Sequence, residues 1–219
     1  MKNSHMMRRV IQYILGLTSM ALGAVLLKQA NLGISPITSV PAAVSDITPF
    51  TLGNTTIALH ILCVIGQIIL VRRITLKSIL TVFVGFPFGY MIDGLMLIVP
   101  PTASLVLRGV YLLFGIVFNG LGVRAIAGSD LMLPAPDELT HTISQVFKKQ
   151  LSNVKLISDA VYVIIALVID LAFTHRISSV GIGTVLSVLL VGRFVGWFTK
   201  WFPKLTMEPF WGAAKKQKS

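Results

Sequence analysis

His60 and Asp159 stand 99 positions apart, each a titratable side chain inside an apolar run. A charged side chain at membrane depth costs on the order of 2.5–3.5 kcal/mol on insertion scales, so it needs a partner or a wet cavity. Either residue can take up a coupling proton, and His60 changes charge near neutral pH. The alternative for His60 is a hydrogen bond to a helix carbonyl or to interfacial water. Arg193 lies in another apolar run, where it can snorkel to the headgroups or be neutralised by Asp159, Asp137 or Glu138. Facing a cavity, its planar fork would suit a carboxylate or a phosphate. An Asp159–Arg193 pair is the specific expectation. Asn119 adds a polar group within a run, and Ser35, Pro36 and Pro136 mark the starts of two unusual segments. These nine residues are the candidates for a solute or ion pathway. Asp93 and Asp170 fall toward the outer ends of their runs and Gln67 toward an inner end, where headgroup solvation is the expectation.

The elements that must position these groups are membrane helices. Of the 219 residues, 54% are hydrophobic and 12% are charged, against about 25% charged in soluble domains. Six apolar runs, Val10–Leu27, Thr55–Val71, Leu76–Val99, Ser104–Val123, Val154–Phe173 and Val180–Phe198, approach the roughly 20 residues that cross a 30 Å hydrocarbon core. The net charge of +11 invites a nucleic-acid reading, but its distribution is topological. With the N-terminus cytoplasmic, 15 of the 19 Lys and Arg residues fall in the inner segments, the positive-inside bias that orients membrane proteins.

The chain also repeats itself. Gly16, Leu22, Gly23, Leu32, Ser45, Leu52, Asn54, Val64 and Ile65 recur 99 positions on, from Gly115 to Ile164, and "VGFPFG" at Val84 answers "VGRFVG" at Val191. Each half reads as one helix, a Pro/Ser/Gly segment of intermediate hydrophobicity (31–50 and 129–147), then two more helices. Proline near a helix start fits these segments, so short helices are expected over Ile37–Ser45 and Asp137–Phe147, either re-entrant or interfacial. Gly85, Pro87 and Gly89 favour a kink in the third span, and both G-x-x-x-G spacings allow close helix approach.

Three spans per half is odd, so the second half must enter inverted. The expected fold is an all-α membrane protein of six transmembrane helices in two inverted three-helix repeats (about 8–100 and 104–200). Residues 201–219 would form a basic cytoplasmic tail. Inverted repeats are the plan of secondary transporters, with the site at the repeat interface.

"LGISPITSVPAAVS", "PAPDELTHTIS" and "VGIGTVLSVLLVGRFVGWF", in that order and spacing, resemble the bacterial YitT/YczE group of small integral membrane proteins over roughly residues 8–200. Pro36, Pro136, Asp137, Asp159, Gly181, Gly183, Thr184 and Gly192 match that pattern. The resemblance implies a multi-pass protein of a bacterial inner membrane and brings no substrate, cofactor or catalytic residue.

The functional expectation is a small secondary transporter or permease, proton-coupled through a group such as His60 or Asp159, with both termini cytoplasmic. A non-catalytic membrane subunit of a larger transport complex is the alternative. An enzyme is not expected, because no H-E-x-x-H or G-x-S-x-G motif occurs. His5, His141 and His175 lie in the tail and flanks, so no metal cluster is expected, and no cofactor. Cys63 is expected to be an inert buried thiol. The partners expected are the lipid bilayer, an unknown small-molecule or ion solute and, at this size, a second copy in a homodimer; nucleic acid is not expected.

Overall fold

The structure is a computed structural model that describes residues 2–201; the basic tail expected beyond them lies outside the described residues. Eight α-helices follow one another: α1 (Lys2–Ala30), α2 (Pro36–Ile47), α3 (Leu52–Val71), α4 (Leu76–Ile98), α5 (Leu105–Ser129), α6 (Ala135–Val146), α7 (Leu151–Ile169) and α8 (Ile182–Trp201). A wider turn over Asp170–Thr174 closes α7. Among the described residues, five stretches are long and apolar enough to cross a membrane: Met6–Ala30, Leu52–Val71, Leu76–Ile98, Leu105–Ser129 and Leu151–Thr174. The chain is a multi-pass helical membrane protein by that measure. A sixth apolar stretch, Ile182–Phe198, is shorter.

Local chemistry sets the breaks. Asn31 ends α1 and Asp130 ends α5, both in the left-handed conformation at φ 51°, which the short polar side chains of Asn and Asp tolerate. After each, a few residues lead to a proline in the first turn of a short helix, α2 or α6. There the missing proline N–H removes nothing the helix needs. Thr51 and Thr75 cap α3 and α4 by accepting from the backbone N–H groups of Asn54 and Ser78. Pro87 does not divide α4, which stays one continuous helix.

The centre is the antiparallel pair α1 and α5, with α4 packed on α1 and α8 on α5. Glycines permit the close approach. A Cβ on Gly23 would lie 2.7 Å from the Asn119 nitrogen, and one on Gly122 would lie 2.6 Å from the Met20 nitrogen. Likewise, Gly16 faces Ile126 and Gly115 faces Leu27. Each contact therefore has a reciprocal partner 99 positions away. Ser19 donates to the Phe118 carbonyl at 2.8 Å, again 99 apart. The short helices are embedded rather than peripheral: α2 packs on α7 and α3, and α6 on α3 and α7.

One seam has no counterpart. α3 and α4 pack along their length, with Gly89 against Ile57 and Gly53, and Gly85 against His60. α7 and α8 make no such seam, and beside Gly192 and Gly196 there is open space.

Candidate functional site

A cavity of about 330 Å³ lies where the two halves meet. The first turn of α2 supplies Ser35, Pro36 and Thr38, and the start of α6 supplies Pro134, Pro136 and Asp137. His60 comes from α3, Asn119 from α5, Lys155 and Asp159 from α7, and Ser187 and Gly192 from α8. Met20, Ala24, Phe88 and Val191 are among the apolar lining. The volume is at the lower end of the range for small-molecule sites, and the lining, mostly apolar with a few convergent polar groups, is typical of them.

Seven of the nine residues expected from sequence are brought together here: Ser35, Pro36, His60, Asn119, Pro136, Asp137 and Asp159. Glu138 is not among the lining; it points to α4, where Lys77 Nζ lies 2.8 Å from Oε1. Arg193 is on the exposed face of α8. The expected Asp159–Arg193 pair is replaced by a nearer cation. Lys155 Nζ lies 2.8 Å from Asp159 Oδ1 and 3.0 Å from Asp137 Oδ1. It sits one helical turn from Asp159, the i,i+4 geometry that brings side chains together. In sequence terms Lys155 is one more basic residue of an inner segment, and the four-residue spacing to Asp159 is the signal that marks it as a partner. Ser187, Thr38 and Phe88 were also missed, since nothing distinguishes them from ordinary helix residues.

His60 is 4% exposed and stacks on Phe88 with centroids 5.6 Å apart. Its Nδ1 is buried without a hydrogen-bond partner, and so is Ser187 Oγ. Buried polar atoms normally have partners; His60 Nδ1 is turned toward Gly85 of α4, where an added Cβ would lie 3.2 Å from it, whereas Ser187 belongs to the cavity lining. At α2 the Ser35 and Thr38 hydroxyls bond each other, and no side chain caps the helix.

Three further polar residues are structural. Asp170 is fully buried, not solvated at the headgroups as expected, and accepts from the backbone N–H groups of Ser178 and Ser179 at 2.9 and 2.8 Å. Asp93 accepts from the Thr51 hydroxyl and the Gly53 N–H at the start of α3. Gln67 Nε2 donates to the Ala135 carbonyl and is buried. Asp170 and Gln67 are buried and Asp93 partly so, and each pairs with a backbone group that would otherwise need another partner.

A family model, the "family of unknown function (DUF6198)", matches residues 7–200. The chain belongs to that family. The match does not carry the YitT/YczE name. The chain is also 25% identical over 191 residues to "Uncharacterized protein YyaS" of Bacillus subtilis (strain 168), covering 85% of this chain and 90% of that protein. No solved structure matches it. A family of unknown function with this helical membrane architecture supplies no substrate, so the chemistry must be argued from the cavity.

Proposed function

We propose that the chain is a small secondary transporter whose solute site is the cavity between two inverted repeats. The observation that carries this reading is the cavity's position. It is lined by both short helices and by residues from both halves, as expected where inverted repeats meet.

The reciprocal contacts of α1 and α5 support the repeat. If position i touches j, then i+99 touches j−99, as a two-fold axis across antiparallel helices requires. Inverted repeats also offer a cycle in which the two halves exchange conformations. The seam α3–α4 is closed at Gly53 and Gly89. Its counterpart positions, Ser152 and Gly196, lie on α7 and α8, which are parted. Taking the basic end as cytoplasmic, this conformation is closed outside and open inside. α8 would act as the sixth span and join α7 in the opposite state.

The test has two arms. With Cys63 replaced, cysteines at Phe50 and Lys149, both exposed and 99 apart, label from opposite sides of intact cells. Same-side labelling removes the inverted repeat. Purified protein alone in liposomes then catalyses solute flux; protein that stays inert until another chain copurifies is instead a subunit.

A further inference from the structure

The cavity holds an unusual charge arrangement. Two carboxylates, Asp137 and Asp159, share a single ammonium, Lys155. His60 of α3 also lines the cavity; Tyr162, three residues after Asp159 on α7, directs its hydroxyl to Cys63 of α3; and α2, packed against α7, brings hydroxyls but no titratable group to the cavity. The lining is thus one positive charge short. Ser187 Oγ, buried in the lining without a partner, can accept from an ammonium. Phe88 adds an aromatic ring to the lining, which favours a cation. At α6, Asp137 and Glu138 already oppose the helix dipole, which weakens its attraction for an anion.

We infer that the site binds a small organic ammonium ion at Asp159, in exchange for a proton held by the same carboxyl. The inference rests on the cavity being a transport site. On binding, Lys155 keeps Asp137 and the incoming ammonium takes Asp159. The apolar body lies against Met20, Phe88 and Val191. The charges balance: a protonated Asp159 and R–NH3+ become the carboxylate–ammonium pair plus one H+, which leaves to water through the open side. Proton and ammonium each supply the one missing charge, so the site holds one or the other. Two carriers of the same charge that cannot be bound together make an exchanger.

The experiment is calorimetry on the purified full chain, with ethylammonium, butylammonium and phenethylammonium chlorides as probes and phenylpropionate as the anionic control. Titrations in two buffers of different ionisation heat count the protons released. The expected result is binding that strengthens from ethyl to phenethyl, with proton release that grows as pH falls and no binding of phenylpropionate. Asp159→Asn, shown folded by its melting curve, weakens ammonium binding by more than about tenfold and abolishes proton release, while Asp159→Glu restores both in part. Binding of no ammonium probe, or of phenylpropionate instead, overturns the substrate class. Ammonium binding without proton release overturns the exchange. Neither result alters the sidedness and flux tests of the transporter reading, so the two fail separately.

Discussion

Cys63 Sγ lies 3.5 Å from Tyr162 Oη, and the two positions are 99 residues apart. On the proposed inverted repeat, a residue that touches its own counterpart would lie on the axis relating the two halves. Ser19 and Phe118 make a second such contact between α1 and α5. α3 meets α7 at Cys63 and Tyr162, and α1 meets α5 along the glycine-lined seam, with the cavity lined by residues of all four helices. The paired helices at the centre are zipped by glycine. The outer pairs differ, one closed and one parted.

That difference predicts unequal effects for equivalent substitutions. Gly89→Leu would drive a side chain into Ile57 and the Gly53 carbonyl. A loss of about 1–3 kcal/mol is expected, the usual cost of overpacking. Gly196→Leu enters open space and should leave the melting temperature in detergent unchanged while stopping turnover. Equal melting losses for the two would mean that the α7–α8 seam is closed in solution.

Much of this was legible in the sequence because membrane physics is written in length and period. Apolar runs of about 20 residues mark helices without any knowledge of packing. The proline segments ended up within a residue or two of α2 and α6, since proline and the left-handed Asn31 and Asp130 leave few alternatives. The 99-residue offset brought His60 and Asp159 forward together, and both line the cavity. Partners were less legible. Arg193 is on another helix and faces outward there, whereas Lys155 stands one helical turn from Asp159 on α7, so the four-residue spacing outweighs the charge in an apolar run. Asp170 looked like a headgroup residue because the turn of Ser178 and Ser179 beneath it has no sequence signature.

Removing Lys155 should be worse than removing it together with a carboxylate. Lys155→Met leaves Asp137 and Asp159 side by side without their cation. The side chain of Lys155 keeps 37% exposure, so the loss should be about 1–3 kcal/mol, below the 3–5 of a fully buried pair. Lys155→Met with Asp159→Asn should recover part of it. Thermal melting of the purified wild type and the two variants decides the matter, and equal stability of single and double variants would show that the triad is not coupled.

Asp170 anchors the connection between α7 and α8, which lies outside in the proposed topology. Asp170→Ala orphans the buried N–H of Ser179 and the N–H of Ser178, at a cost of about 1–3 kcal/mol for each buried group left unsatisfied. Protease cleavage between Thr174 and Gly181 in right-side-out vesicles should rise, with helix content unchanged. Asp170→Asn, which keeps the acceptor oxygen, should lie between. No gain in cleavage for the alanine variant would place Asp170 outside the anchoring of this loop.

The parted seam gives the sharpest test of movement. Ser152 and Gly196 stand where Gly53 and Gly89 stand in the other half, and those two touch. In a protein locked in this conformation, cysteines at 152 and 196 stay too far apart to bridge, because a disulfide needs Cα atoms within about 7 Å. In one that exchanges the states of its halves, they meet whenever the inner side closes. Oxidation of the Ser152→Cys/Gly196→Cys variant, with Cys63 replaced, should therefore produce an intramolecular disulfide slowly and to completion. Cysteines at Gly53 and Gly89 cannot serve as the reverse control, since added side chains would prise that seam apart. The usable control is the single variant Ser152→Cys. Its labelling by a small maleimide from the inner side should be fast and should slow under conditions that favour closure. A pair that never bridges, with Ser152→Cys labelling at a constant rate, would leave a static bundle with a cavity and no cycle.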